Sequence, residues 1–199
     1  MKKRFVAQKL LERLNSKVQR QLDLTETLIL GVVLKGLPVA YGLAKANGVV
    51  ENFVPLVAQR HIYLQHHVES YFPSSHWITY LSRQLSVCKH LLIVDDVVNT
   101  GFTRQKVESI IQSLNLDRKK ILSKRFAGLI LNQKSLANPK FVEPDDFYAM
   151  KVVAIDVECD WGLLTVPLWD LSVSAALQRC EEYYRRFWQN ENRWVTITY

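Results

Sequence analysis

The chain has 199 residues, 48% of them apolar, which is enough for one sizeable core. Its net charge of +7 and pI of about 9.3 admit a polyanionic partner without choosing among nucleic acid, an anionic membrane surface and a phosphorylated metabolite. Cys88, Cys159 and Cys180 are scattered and form no CxxC pair, which excludes a disulfide framework and fits a reducing cytosol.

The opening MKKRFVAQKLLERLNSK begins with a basic cluster, but Gln8, Lys9, Glu12 and Arg13 interrupt any apolar stretch that a signal peptide needs. Ala7, Leu10, Leu11, Leu14 and Val18 share a helical face, predicting an amphipathic helix over about 4–22. LILGVVL reads as a buried strand, and the run Leu28 to Leu34 is too short to span a bilayer. The expected location is therefore cytoplasmic, with no membrane partner. Gly36 and Pro38 punctuate the strand end, and Val39 to Ala46 reads as a helix stopped by Gly48.

Val49 to Ala58 predicts a second strand. From Gln59 to Arg83 periodicity fails, and the stretch reads as a long, partly irregular excursion. It holds His61, His66 and His67, whose spacing is not that of a helical zinc site. No cysteine or carboxylate cluster accompanies them, so they read as solvated loop histidines.

His90 to Val97 is the next strand. Val107, Ile110, Ile111 and Leu114 then recur at i, i+3, i+4, i+7, a helix with its stripe on a sheet. Further strands are expected within Ile121 to Leu131 and over Val152 to Cys159. Ser172 suits the N-cap of a last helix reaching Trp188, and WVTITY alternates like a short edge strand. Alternating strands and helices imply an α/β, doubly wound, mostly parallel sheet with helices on both faces. With no linker or repeat, 1–199 reads as one domain. Its core spans about 24–150, and a small C-terminal hood region with the last helix spans about 151–199.

The chemistry concentrates in LLIVDDVVNTGFT, Leu91 to Thr103. Doubly wound sheets bind ligands at the carboxyl ends of their strands, and Asp95 and Asp96 fall at such an end. Adjacent carboxylates there call for a cation or a hydrogen-bonding partner, such as a Mg²⁺ complex or a diol. The loop after them leads into a helix. Gly101 allows close backbone approach, while Thr100 and Thr103 supply hydroxyls beside the amides of the helix start. That makes a cradle for a phosphate monoester. Acceptors at one end and phosphate donors at the other match the layout of a ribose 5-phosphate.

This stretch resembles the 5-phosphoribosyl-1-pyrophosphate (PRPP) signature of the type I phosphoribosyltransferases over all thirteen positions in type. GVVLKGLPVAYGLA, Gly31 to Ala44, resembles the family's pyrophosphate loop, with Leu34, Lys35 and Gly36 at its tip. It is similar to the Leu-Lys-Gly loop of the hypoxanthine-guanine branch but has Leu37 where a second glycine is usual. The Gln59–Arg83 excursion sits where the family carries a mobile hood, and Ser70-Tyr71 resembles a Ser-Tyr pair of the purine branch. In the C-terminal hood, Asp160-Trp161 is similar to a magnesium-binding carboxylate and a base-stacking aromatic. Trp169-Asp170 is the rival pair, and either tryptophan also reads as a core plug.

The resemblance implies a Mg²⁺-dependent transferase acting on PRPP and a nucleobase-like, purine-like acceptor, releasing pyrophosphate. It places Asp95 and Asp96 on the ribose hydroxyls and, with Asp160, on the metal shell. Asn99, Thr100, Gly101, Phe102 and Thr103 fall on the 5-phosphate. Lys35 with Leu34 and Gly36 falls on the pyrophosphate, and Ser70, Tyr71 and Trp161 on the closing site. It also makes a homodimer the expected assembly, with Tyr183, Tyr184, Phe187 and Trp188 on offer.

Two positions depart from the purine pattern. Asn99 stands where the hypoxanthine-guanine branch has an aspartate, and it cannot serve as a base. Asn132 stands where that branch reads a 6-oxo group with lysine; Lys134 substitutes only if the strand continues. The alternative on the same fold is a non-catalytic PRPP-sensing regulator or a nucleic-acid-binding protein. No nucleic-acid motif is present, and no Lys/Arg run exceeds the opening Lys-Lys-Arg.

Overall fold

The computed structural model describes residues 1–33, 35–60, 68–71, 75–113, 121–136, 142–159, 172–188 and 193–199. Its strands are β1 (Lys2–Val6), β2 (Thr27–Val33), β3 (Phe53–Arg60), β4 (Val68–Tyr71), β5 (His90–Val98), β6 (Ser123–Asn132), β7 (Phe147–Val152), β8 (Asp156–Cys159) and β9 (Trp194–Thr198). The helices are α1 (Ala7–Gln19), α2 (Leu37–Ala46), α3 (Ser75–Val87), α4 (Phe102–Ser113) and α5 (Val173–Trp188).

Among the described residues, six strands form one sheet in the order β4-β3-β2-β5-β6-β7. All neighbours in it are parallel except β4, which runs antiparallel on the β3 edge. The doubly wound expectation therefore holds, and β5 lies at the centre. Its residues 91–96 are all buried, as a strand covered on both faces requires. A second sheet, β1-β9-β8, is antiparallel throughout.

Several expected elements change. The first helix begins at Ala7, not near residue 4, because Lys2 to Val6 pair with β9 from Lys2↔Thr198 to Val6↔Trp194. A long-range strand partner overrides the local helical pattern there. The stripe itself is as expected: Ala7, Leu10, Leu11, Leu14 and Val18 are the buried residues of α1. WVTITY is no edge strand, since β9 is the middle of its sheet. The run from Val152 to Cys159 is two strands in two sheets. Asn132 divides it: its amide oxygen accepts from Ala154 N at 3.2 Å, and its Nδ2 donates to Ala154 O at 3.2 Å. The chain turns there from β7 toward β8.

The irregular excursion is also corrected. It contains β4 and the 13-residue helix α3, whose Trp77, Leu81 and Leu85 are buried at i, i+4, i+8. His61, His66 and His67 lie outside the described residues. Ser172 caps α5 as expected, its Oγ accepting from Ala175 N at 3.3 Å. On α5, Tyr184 and Trp188 turn inward onto α2. Tyr184 lies 5.7 Å from the Tyr41 ring, and the Trp188 indole donates to Pro38 O. Those two aromatics are thus committed within the chain and lend no support to a dimer face. No helix among the described residues is long and apolar enough to cross a membrane.

All three cysteines are free and buried. Burial pushes Cys88 from an ordinary 9.0 up to about 11 and Cys180 up to about 12. An unfolded thiol ionises near pH 9 while its folded counterpart keeps the proton. The native state then binds more protons than the unfolded one, so stability falls as pH rises. The expected result is a decline from about pH 9 to about 12, on the order of 2 kcal/mol per thiol, measured by urea unfolding across that range. A flat profile would contradict the burial of these thiols.

Candidate functional site

The site is built where β5 ends. Asp95 and Asp96 are 8% and 6% exposed, and both lie within the strand, which runs on to Val98. Successive strand residues face opposite ways, so the two carboxylates leave β5 on opposite sides and flank the strand end just past its last β2 pair, Gly31↔Val94. Asp95 shares a row with Gly128 of β6 and Tyr148 of β7. With no side chain at Gly128, the Tyr148 ring covers that position; a Cβ there would sit 3.5 Å from it. The buried phenol is driven upward in pKa, first by burial and then by the charge of Asp146, with Asp95 contributing. The Asp95 carboxylate also accepts from Asp96 N at 2.9 Å.

Asp96 meets the second sheet. The Cys159 thiol, at the end of β8, is buried beside it. Burial pushes this thiol well up, and the charge of Asp96 and a hydrogen bond to it add to the effect; Lys35 opposes it. Cys159 therefore stays protonated beside the Asp96 carboxylate. This residue was missed in the sequence, where a lone cysteine carries no signal.

The β2–α2 turn closes on the same point. Gly36 has an ordinary φ of −74°, so its role is spatial. A Cβ there would lie 2.7 Å from Asp95 Cα, 2.7 Å from Val32 O and 2.8 Å from Val94 O. Backbone thus rests on backbone, and the expected pyrophosphate turn packs on the main chain of Asp95, the residue expected at the ribose hydroxyls. Lys35 is exposed at the tip, and Pro38 in the first turn of α2 starts the helix without wasting a donor. Leu34 lies outside the described residues.

After β5, Asn99 and Thr100 are half-buried and Gly101 is buried at φ 80°, a region that favours glycine. Phe102 opens α4 one residue later, and Gln105 N donates back to Gly101 O at 3.2 Å. The amino end of α4 therefore abuts the loop, with Phe102 and Thr103 half-buried. Ser70 and Tyr71 lie on β4, paired with Ala58 and Val57 of β3, and α4 packs against that edge strand. Trp161, Asp160 and the rival pair Trp169-Asp170 lie outside the described residues.

Asn132 is not poised to read a ligand. It is 1% exposed, with both ends of its amide engaged by Ala154 and its Nδ2 also donating to Ser135 Oγ at 3.0 Å. Lys134 is no substitute on the strand, because β6 ends at Asn132 and Lys134 falls in an exposed 3-10 turn.

A second residue escaped the sequence reading. Arg104, in the first turn of α4, is 6% exposed. Its Nε donates to Glu108 at 2.9 Å and its Nη1 to Asp146. An arginine next to the expected phosphate loop invites assignment to the phosphate, but this one is turned to Asp146, just before β7.

No family model and no curated protein matches the sequence. Solved structures do match the fold. A hypoxanthine-guanine phosphoribosyltransferase from Bacillus anthracis superposes with a TM-score of 0.53 at 11% identity, over 83% of this chain and 95% of that one. A variant hypoxanthine phosphoribosyltransferase from Trypanosoma cruzi, in a ternary substrates complex, gives 0.52 at 14% identity, over 77% and 82%. The central parallel sheet, its flanking helices and these superpositions establish that the chain is built on the type I phosphoribosyltransferase fold.

Proposed function

We propose that this chain is a Mg²⁺-dependent phosphoribosyltransferase that uses PRPP and a nucleobase, purine-like in size, and releases pyrophosphate. One observation carries the reading. The Gly36 turn rests on the backbone of Asp95, so a pyrophosphate grip, a pair of carboxylates and a phosphate loop meet at one strand end.

In this reading the 99–103 loop and the amino end of α4 hold the 5-phosphate. Asp95 and Asp96 accept hydrogen bonds from the ribose hydroxyls. The Cys159 thiol keeps Asp96 oriented, and Gly101 and Gly36 let the backbone approach the ligand. Lys35 and the turn amides stabilise charge on the departing pyrophosphate. Asp95 and Asp96 are hard oxygen donors of the kind that Mg²⁺ takes together with substrate phosphates, and they are the residues that would hold it, with Asp160 a further candidate. When bound, the ion supplies charge neutralisation at the leaving group.

Asn99 cannot take a proton from the acceptor, and the engaged Asn132 cannot recognise a 6-oxo group. Both favour an acceptor that reacts without a base at position 99 and is not selected by a cation on β6.

The test is pyrophosphate release from PRPP and Mg²⁺ with a panel of purines, pyrimidines and analogues. Release with at least one base is expected, and the Asp96→Asn variant should lower the rate on the order of a hundredfold. Tight PRPP binding with no release from any base would replace the enzyme by a PRPP sensor. No calorimetric response to PRPP with magnesium would defeat both.

A further inference from the structure

The Arg104 guanidinium is engaged within the chain, on Glu108 and Asp146. It leaves the first turn of α4 directly after the 99–103 loop and pairs with Asp146, whose side chain is fully buried. Asp146 precedes β7 and is itself held twice more. Its Oδ1 accepts from Phe126 N at 2.9 Å and its Oδ2 from Glu143 N at 2.8 Å. The guanidinium face lies 5.7 Å from the Phe126 ring, and Glu108 occupies its Nε at 2.9 Å. Two backbone amides thus fix the carboxylate, the carboxylate fixes the guanidinium, and the guanidinium fixes the first turn of α4.

We propose that Arg104 is the positioning residue of the 99–103 loop: through Asp146 it pins the amino end of α4 to the β6–β7 side of the sheet, and it does not itself bind phosphate. This rests on the reading of 99–103 as a phosphate loop. The chain between Val98 and Phe102 contains one glycine in a left-handed conformation and no strand pairing, so its placement depends on what anchors α4. A planar, always-charged fork suits that task, because it bonds Glu108 and Asp146 at once and stacks on Phe126; a lysine could satisfy only one of these demands.

The test compares Arg104→Lys with the double variant Arg104→Met and Asp146→Leu, which removes the tether and leaves no lone buried charge. Calorimetry with two probes separates loop placement from general damage. Ribose 5-phosphate reports on the 99–103 loop; inorganic pyrophosphate with Mg²⁺ reports on the Lys35–Gly36 turn. Ribose 5-phosphate is expected to bind at least about tenfold more weakly in both variants, with pyrophosphate changed less than about twofold. Equal weakening of both probes, or of neither, overturns the proposal.

Hydrogen exchange keeps the test independent of ligand. Amides of residues 99–106 should lose protection in both variants while the β5 and β6 amides keep theirs. If the unmodified protein binds neither probe, the phosphoribosyltransferase reading fails. The tether then stands or falls on whether that local loss of protection is seen.

Discussion

Gly36→Ala is expected to abolish PRPP binding and to destabilise the fold by about 2 kcal/mol, within the range for overpacked sites. The added methyl meets only backbone: Asp95 Cα, Val32 O and Val94 O, all within 2.8 Å. None is the end of a flexible side chain that could swing aside. Relief requires the β2–α2 turn to lift away from β5, which moves Lys35 and the turn amides off the carboxylate end by several tenths of an ångström. A shift of that size at a preorganised anion grip costs far more in affinity than in stability. Isothermal titration of PRPP with magnesium measures the first effect and urea unfolding the second. Unchanged binding would show that the turn and the β5 carboxylates do not act on one ligand.

Trp77→Ala should cost about 3–5 kcal/mol, the range for deleting a fully buried aromatic. Trp77 is 0% exposed in α3 and meets Tyr80 edge-on at 5.6 Å. Its indole nitrogen has no hydrogen-bond partner among the described residues, so Trp77→Phe keeps much of the packing while removing a buried donor. That variant should lose about 1 kcal/mol or less. The pair of values, read from denaturant midpoints, distinguishes a helix that belongs to the core from one that merely covers the site. Loss of less than 1 kcal/mol on Trp77→Ala would place α3 outside the cooperative unit.

What could be read in the sequence was what local periodicity records. The stripe of α1, the buried Val107 and Ile111 of α4 and the buried run 91–96 of β5 follow from spacing alone, because each element's face is set by its own residues; Leu114 of the expected α4 stripe lies outside the described residues. The proposed phosphate loop was legible for the same reason: its strand, carboxylates, glycine and helix start are contiguous. The α3 stripe had the right spacing but was hidden behind Pro73 and paired serines, which punctuate just before it. Long-range facts were not legible. β1 looked like the start of a helix because its partner β9 lies at the other end of the chain. Arg104 and Asp146 are 42 residues apart, and each alone reads as a surface charge. Only the fold shows that they are one buried pair, or that Cys159 reaches Asp96 from a different sheet.

The pairing of the first strand with the last also orders assembly in time. While the chain emerges from a ribosome, residues 2–6 have nothing to zip onto until residues 194–198 are made. The large sheet can condense earlier, since its strands are complete by Val152. The small sheet must wait, because β9 is its middle strand, between β1 and β8. A nascent or truncated chain lacking the final strand would therefore hold a formed loop and turn around an Asp96 whose thiol neighbour is not yet seated.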